Sequence, residues 1–395
     1  MARPGILPGV KVAYLTTYYN GAVDGRFGRF HDWVHTLRDA DDPPFDFEVV
    51  ALSASNDDGT LSSPPHGVLG EATDMWGSPF NDVEYALNVP RAIRDLARID
   101  FDVLHVLRTD LKVYPIALAF ADRSPVIGPN VQGYVPGREG ERWNRGGLAG
   151  LRNRYEFRRG RALLRAAEDP TLVALSRYHA DNVRTYDPPG VVETIPPGVD
   201  PCFTPGADPE VAPSPATAPE RPTRLLYVGD FTEYKGYDRF LDALAGLPDD
   251  LPVRATVVGS GDPRRDRIDA LGLADTVEVA GFVPRGDLPA YYREADWYVM
   301  PSVDENGPNT VVEALACGTP VVATDKPGIN EYAPEGAAIY VDRDGDGLRR
   351  GLAEAHERRR DCGEAALARA GECSAERTLA ALAALYERHL ERTRE

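Results

Sequence analysis

The sequence predicts an α/β protein built from two doubly wound parallel-sheet domains, and three observations carry this. Short β-branched runs alternate with longer amphipathic stretches along the chain, the pattern of βαβ units. The 395 residues exceed the roughly 100–200 that one domain usually holds. Between the halves, residues 204–222 are rich in Pro, Ala and Ser and show no periodicity, which suits a linker.

In chain order, the first half offers strands at Lys11–Thr17, Phe47–Leu52, Val103–Val106, Val126–Ile127, Leu172–Leu175 and Val192–Ile195. The second offers Leu225–Val228, Ala255–Val258, Val277–Ala280, Trp297–Met300, Val321–Ala323 and Ala338–Val341. Helical patterns lie between them, for example Tyr237–Leu247 and Thr310–Cys317. The expected organisation is a first domain over 1–203, the linker at 204–222, a second domain over 223–373 and a closing helix in 374–395. Ligands of doubly wound sheets sit beyond the carboxyl ends of the strands, so a cleft between the two domains is the expected site.

Composition narrows the function. A net charge of −18 argues against general nucleic-acid binding, which needs a basic face. The basic residues comprise four lysines (Lys11, Lys112, Lys235 and Lys326) against forty arginines. Few lysines and many acids suit a halophilic host, and a GC-rich genome gives the same bias; both readings stay open. The four cysteines show no CxxC or Cys/His spacing, so neither a disulfide framework nor a zinc site is expected, and a reducing cytosol fits. No apolar run approaches the ~18 residues that span a bilayer. Pro4, Gly5, Pro8 and Gly9 interrupt any signal-peptide core.

The segment with the most chemistry is Pro301–Thr324, PSVDENGPNTVVEALACGTPVVAT. It leaves a buried strand, crosses a Gly/Pro/Asn loop and enters a helix near Thr310. Amides of Gly307, Asn309 and Thr310 open that helix, where unpaired N–H groups and the dipole favour a phosphate-bearing ligand. Glu305 lies in the loop and Glu313 in the helix. Glu313 can accept hydrogen bonds from vicinal hydroxyls, as acids do for ribose. It stands among Val311, Val312, Ala314 and Leu315, where a carboxylate is expected to have a partner.

These residues carry a resemblance. DENGPNTVVEALACGTPVV is similar to the E-x7-E motif of the GT4-type retaining glycosyltransferases, also called glycosyltransferase group 1, which have the GT-B fold of two Rossmann-like domains. In family order and spacing come LLYVGDFTEYKGYDRFLDAL (225–244), VVGSGD (257–262), VEVAGFVP (277–284) and PGINEY (327–332). The first half matches more thinly, at DVLH (102–105), ALSRYHAD (174–181) and IPPGVD (195–200). The resemblance implies that Glu313 binds the nucleotide ribose, that Glu305 lies near the donor sugar and that Lys235 meets the diphosphate. Gly307, Pro308, Asn309 and Thr310 would face sugar or phosphate. Gly229 would close the first strand of the second domain. Gly25 sits where the family places a glycine pair.

Three departures stand out. Asp230 occupies a position where the family usually has Arg, Gln132 precedes Gly133 where His-Gly is usual, and the glycine pair is reduced to Asp24-Gly25. Glutamine can bond a hydroxyl but carries no proton at neutral pH as histidine does.

The expected function is transfer of a sugar from a nucleoside-diphosphate sugar to an acceptor hydroxyl with retention of configuration. The acceptor would be a glycan or a lipid-linked or cell-surface precursor. Lys235 and helix N-termini would supply the positive charge, so neither metal nor cofactor is expected. The alternatives are a nucleotide-sugar epimerase of the same fold and a non-catalytic subunit binding nucleotide-sugar or a partner enzyme. An NAD oxidoreductase is disfavoured because no GxGxxG follows a strand. The first domain would bind the acceptor, with the last helix crossing back to it. A cytoplasmic protein of a halophilic archaeon is the expected setting.

Two motifs have plainer readings. Asp342-x-Asp344-x-Asp346-Gly347 resembles half an EF-hand loop but has Ala353 where the bidentate acid belongs, and reads as an acidic turn before a helix at Leu348. His105 ends an apolar strand and reads as a core histidine bonded to backbone. Residues 138–165 hold nine arginines against three glutamates. That segment reads either as a surface for an anionic inner leaflet or phosphate-linked acceptor, or as partners for acids on neighbouring helices.

Overall fold

The computed structural model describes residues 7–20, 43–55, 92–107, 114–123, 125–128, 164–206, 221–303, 305, 307–342, 345–358 and 374–394, with isolated positions between them. The chain divides into two compact units. The first takes in residues 37–196 together with 1–23 and Thr378–Glu395, and the second is chiefly Pro197–Arg377.

Six parallel strands form the first sheet: β1 (Lys11–Asn20), β2 (Asp46–Ser55), β3 (Val103–Val106), β4 (Val126–Ile127), β5 (Thr171–Ala174) and β6 (Val191–Thr194). Their order is β2-β1-β3-β4-β5-β6. β3, β4 and β5 are buried throughout, as expected where helices cover both faces and the strands are continuous apolar runs. Ala13, Leu15, Leu104, Val106, Ile127 and Leu172 anchor the core beneath. The short helices α1 (Tyr114–Ala119) and α2 (Arg177–Arg184) belong to this unit. Ser176 starts α2 by accepting the His179 amide at 2.9 Å, satisfying one of the donors a helix start leaves open.

The second sheet is also parallel: β7 (Thr223–Val228), β8 (Val253–Val258), β9 (Val277–Gly281), β10 (Trp297–Met300), β11 (Val321–Thr324) and β12 (Ala338–Val341). The order is β12-β11-β10-β7-β8-β9. The connecting helices are α3 (Tyr237–Ala245), α4 (Arg265–Ala270), α5 (Leu288–Glu294), α6 (Asn309–Ala316), α7 (Pro327–Asn330) and α8 (Gly345–Glu357). Two apolar layers cover the sheet. Phe240, Leu241, Trp297, Val299 and Leu352 belong to one, and Tyr292, Tyr298, Val312 and Leu315 to the other.

α9 (Ala375–Arg394) ends the described chain, and from Thr378 onward it is counted with the first unit. Inside that unit the Tyr386 hydroxyl lies 2.7 Å from His105 Nδ1 and 3.0 Å from the Tyr14 hydroxyl. His389 Nδ1 lies 2.9 Å from Thr171 Oγ1, and Arg392 Nε donates to Asp169 at 2.6 Å. His105 is thus a core histidine, but its partner is a side chain, not the backbone. Burial and the charge of His389 lower its pKa to about 3.

One boundary differs from the expectation. Residues 197–203 belong to the second unit, not the first. Val199 bridges to Ser374 there, and the buried Phe203 meets Tyr292 edge-on at 6.1 Å between ring centroids. α8 starts at Gly345, three residues before the expected Leu348.

Candidate active site

The second sheet changes direction between β7 and β10. These strands are neighbours, but β7 continues to β8 on one side and β10 to β11 on the other. The carboxyl ends of two such strands are the usual ligand position of a doubly wound sheet. Gly229, Asp230 and Lys235 follow β7, and Pro301–Thr310 follows β10.

Glycines let the backbones at this switch point approach. Gly236 holds φ +75°, and a Cβ there would lie 2.0 Å from the Pro301 carbonyl oxygen. No other residue fits without moving the loop. The Val303 amide then donates to the Tyr234 carbonyl at 2.9 Å, joining the loops after β7 and β10. A Cβ on Gly259 would lie 1.9 Å from the Gly229 carbonyl oxygen, so the turn after β8 also needs glycine.

This closure brings Lys235 to Glu305, Nζ donating to Oε1 at 2.7 Å. Glu305 is 8% exposed, whereas the Lys235 side chain is 34% exposed and so remains open to a ligand. Pro308 caps α6 without a side-chain bond to the helix amides. The Tyr298 hydroxyl donates to Thr310 Oγ1 at 2.7 Å and ties the start of α6 to β10. Burial raises the Tyr298 pKa, so this donor stays protonated.

Glu313, on the buried part of α6, is 2% exposed, and both its oxygens are engaged. Arg285 Nη1 donates to Oε1 at 2.7 Å, and the Tyr292 hydroxyl donates to Oε2 at 2.8 Å. Arg285 comes from the 3-10 turn after β9 and is 3% exposed, its guanidinium 4.7 Å from the Phe203 ring centroid. Burial, then the Glu313 charge, pushes the Tyr292 pKa well above its ordinary value and keeps the hydroxyl a donor. Cys317, behind α6, is pushed up to about 12 by burial and is an inert thiol.

Of the residues expected at the site, Gly229, Lys235, Glu305, Gly307, Pro308, Asn309, Thr310 and Glu313 all lie in the second unit, on these loops and α6. Gly25 and Gln132 lie outside the described residues, as do Asp24 and Gly133. Asp230 is exposed, and its carbonyl accepts the Tyr227 hydroxyl at 2.8 Å. The partner expected for Glu313 exists, but neither Arg285 nor Tyr292 was singled out by the sequence. The available signal was an arginine directly after the apolar run VEVAGFVP.

Elsewhere, Asp342 pairs with Arg350 at 3.7 Å and Asp346 with Arg349 at 3.4 Å. Among the described residues no group of three or more His, Cys, Asp or Glu could hold a metal ion. Most of 138–165 lies outside the described residues. Two of its arginines, Arg161 and Arg165, pair with Asp187 at 3.4 and 2.7 Å.

The second unit can be placed among known proteins. Residues 210–369 match the model of the glycosyl transferases group 1 family. D-inositol 3-phosphate glycosyltransferase of Paenarthrobacter aurescens is 35% identical over 127 residues, 30% of this chain and 31% of that protein. The chain spans about a third of the length of the curated relatives it matches. Solved structures cover nearly all of it, among them the following two. Sucrose-phosphate synthase from Thermosynechococcus elongatus aligns at TM-score 0.68 and 17% identity, over 96% of this chain and 98% of that one. WaaG, a glycosyltransferase involved in lipopolysaccharide biosynthesis, aligns at 0.70 and 19%, over 95% and 99%. The fold is GT-B.

Proposed function

We propose that the protein is a retaining glycosyltransferase that moves a sugar from a nucleoside-diphosphate sugar to an acceptor hydroxyl. The observation that carries this reading is the Lys235–Glu305 pair at the switch point of the second sheet, beside the N-terminus of α6. A donor diphosphate between Lys235 and the α6 amides meets positive charge on both sides. That charge grows in value as the glycosidic bond breaks and the diphosphate leaves, so it stabilises the transition state more than the ground state. Glu313 takes the ribose hydroxyls, and Glu305 keeps Lys235 aimed. The acceptor attacks the face the diphosphate leaves, which retains the anomeric configuration.

Lys235 and the helix dipole place the charge where a divalent metal would act, so turnover needs none. The same rate in EDTA supports this, and lost activity overturns it. The acceptor is a glycan or lipid-linked precursor met at the cytoplasmic face of a membrane. No described helix is long and apolar enough to cross one. Contact would run through the arginines of 138–165: reversing Arg158 and Arg159 to Glu should release the protein from anionic liposomes at low salt. The scarce lysines and net charge of −18 support a salt-adapted host.

Thermal shift against a panel of nucleotide sugars, followed by product analysis with and without acceptors, tests the reading. Sugar transfer to an acceptor is expected. An isomerised donor formed without acceptor would make the protein an epimerase instead.

A further inference from the structure

Each of the two glutamates of the motif is neutralised by a cation from another element. Lys235, after β7, pairs with Glu305, and Arg285, after β9, pairs with Glu313. The first pair is partly open and the second is closed. Arg285 and Glu313 are 3% and 2% exposed, and Tyr292 is fully buried. A carboxylate this deep keeps its charge only beside a cation and donors, and a diphosphate-bearing ligand would be repelled by it unpaired.

We infer that Arg285 and Tyr292 are positioning residues that set the Glu313 carboxylate to receive a vicinal diol, and so make the site selective for ribonucleotides. This rests on the reading of Glu313 as the ribose ligand. A carboxylate offers about four lone-pair directions, two on each oxygen. Arg285 takes one on Oε1 and Tyr292 takes one on Oε2. One direction on each oxygen remains, and this suits two adjacent hydroxyls, one donating to each oxygen. Were both donors to approach one oxygen, the two hydroxyls would have to crowd onto the other.

The two donors are themselves fixed. The Arg285 guanidinium lies 4.7 Å from the Phe203 ring centroid, and Phe203 packs edge-on against Tyr292. The high pKa of Tyr292 keeps its proton available for donation. Planar, stacked and always charged, arginine suits this role better than lysine, whose ammonium is a mobile point charge. The arrangement therefore makes Arg285 a determinant of sugar-edge selectivity although it is directed at Glu313.

The test compares binding of uridine, guanosine and adenosine diphosphates with their 2′,3′-dideoxy counterparts, using inorganic pyrophosphate as a probe of the diphosphate contacts alone. Wild type should favour the preferred ribonucleotide over its dideoxy form by at least tenfold, because a site built for a hydroxyl rejects the analogue lacking it. R285K should cut that ratio several-fold and Y292F two- to fivefold, with pyrophosphate affinity within twofold of wild type. E313Q should abolish the ratio. A purely structural role would weaken all ligands alike or lower Tm without moving the ratio. If R285K and Y292F both keep the wild-type ratio while E313Q loses it, the positioning role is overturned and Glu313 still binds the ribose. If wild type shows no ratio, or E313Q leaves it unchanged, the ribose role of Glu313 fails, and the inference fails with it. R285M/E313Q, which removes both charges together, serves as the folded control should R285K prove unstable; it should bind ribo and dideoxy forms alike, and a retained ratio would overturn the inference.

Discussion

The two units use the same parallel six-stranded plan but bury opposite kinds of polar group. In the first, the polar core at β1, β3 and α9 is neutral: His105, Tyr14 and Tyr386 exchange hydrogen bonds and carry no charge. In the second, the groups beyond β7, β9 and β10 are charged pairs, Lys235–Glu305 and Arg285–Glu313. A neutral network stabilises at little cost once every group is satisfied. A buried ion pair costs desolvation that its own attraction barely offsets, so stability alone is a weak reason to keep one. The first network holds a helix in place, and under the proposed function the second keeps charge for a ligand.

The contrast can be broken most sharply at Arg285. Arg285→Met leaves Glu313 buried without its cation and should cost ~3–5 kcal/mol, measured by denaturant unfolding. A loss below 1 kcal/mol would mean that Glu313 is protonated or hydrated and that the pair is not what the geometry describes. Lys235→Ala should spare folding and lower kcat by roughly 100- to 1000-fold, the usual loss of a charge that acts on the transition state. A wild-type kcat would remove Lys235 from the reaction.

Effects in the first unit should be smaller and confined to stability. Tyr386→Phe leaves His105 and Tyr14 without their shared partner and should cost ~1–3 kcal/mol, with kcat/KM unchanged for folded protein. The effect that is smallest per unit of change concerns pH. Unfolded His105 takes up a proton near 6.5, whereas the folded residue does so only near about 3. The unfolded chain therefore binds more protons in this window, and stability falls as pH drops from 6.5 toward 3, by up to ~1.4 kcal/mol per pH unit. His105→Gln should remove that component of the slope; an unchanged slope would show that His105 does not titrate on unfolding.

Much of the fold was legible because many of its strands are buried on both faces. Runs such as Trp297–Met300 and Val103–Val106 have no polar side to disguise them, and both strands have those same bounds. The candidate site was legible where it is local: Glu305, Asn309 and Glu313 share one loop and one helix, so spacing alone relates them. Arg285 was not legible because it meets Glu313 across 28 residues through the packing of α5 against α6. The grouping of residues 197–203 with the second unit was not legible for the same reason. The contacts that place Val199 and Phe203 in the second unit are with Ser374 and Tyr292, far along the chain.

The most direct test of the account is calorimetric binding of the nucleoside diphosphate panel to wild type and Glu313→Ala. The account predicts that wild type binds at least one nucleoside diphosphate and that the variant binds it at least tenfold more weakly while remaining folded. Equal binding by the two proteins, or no binding by wild type, would contradict it.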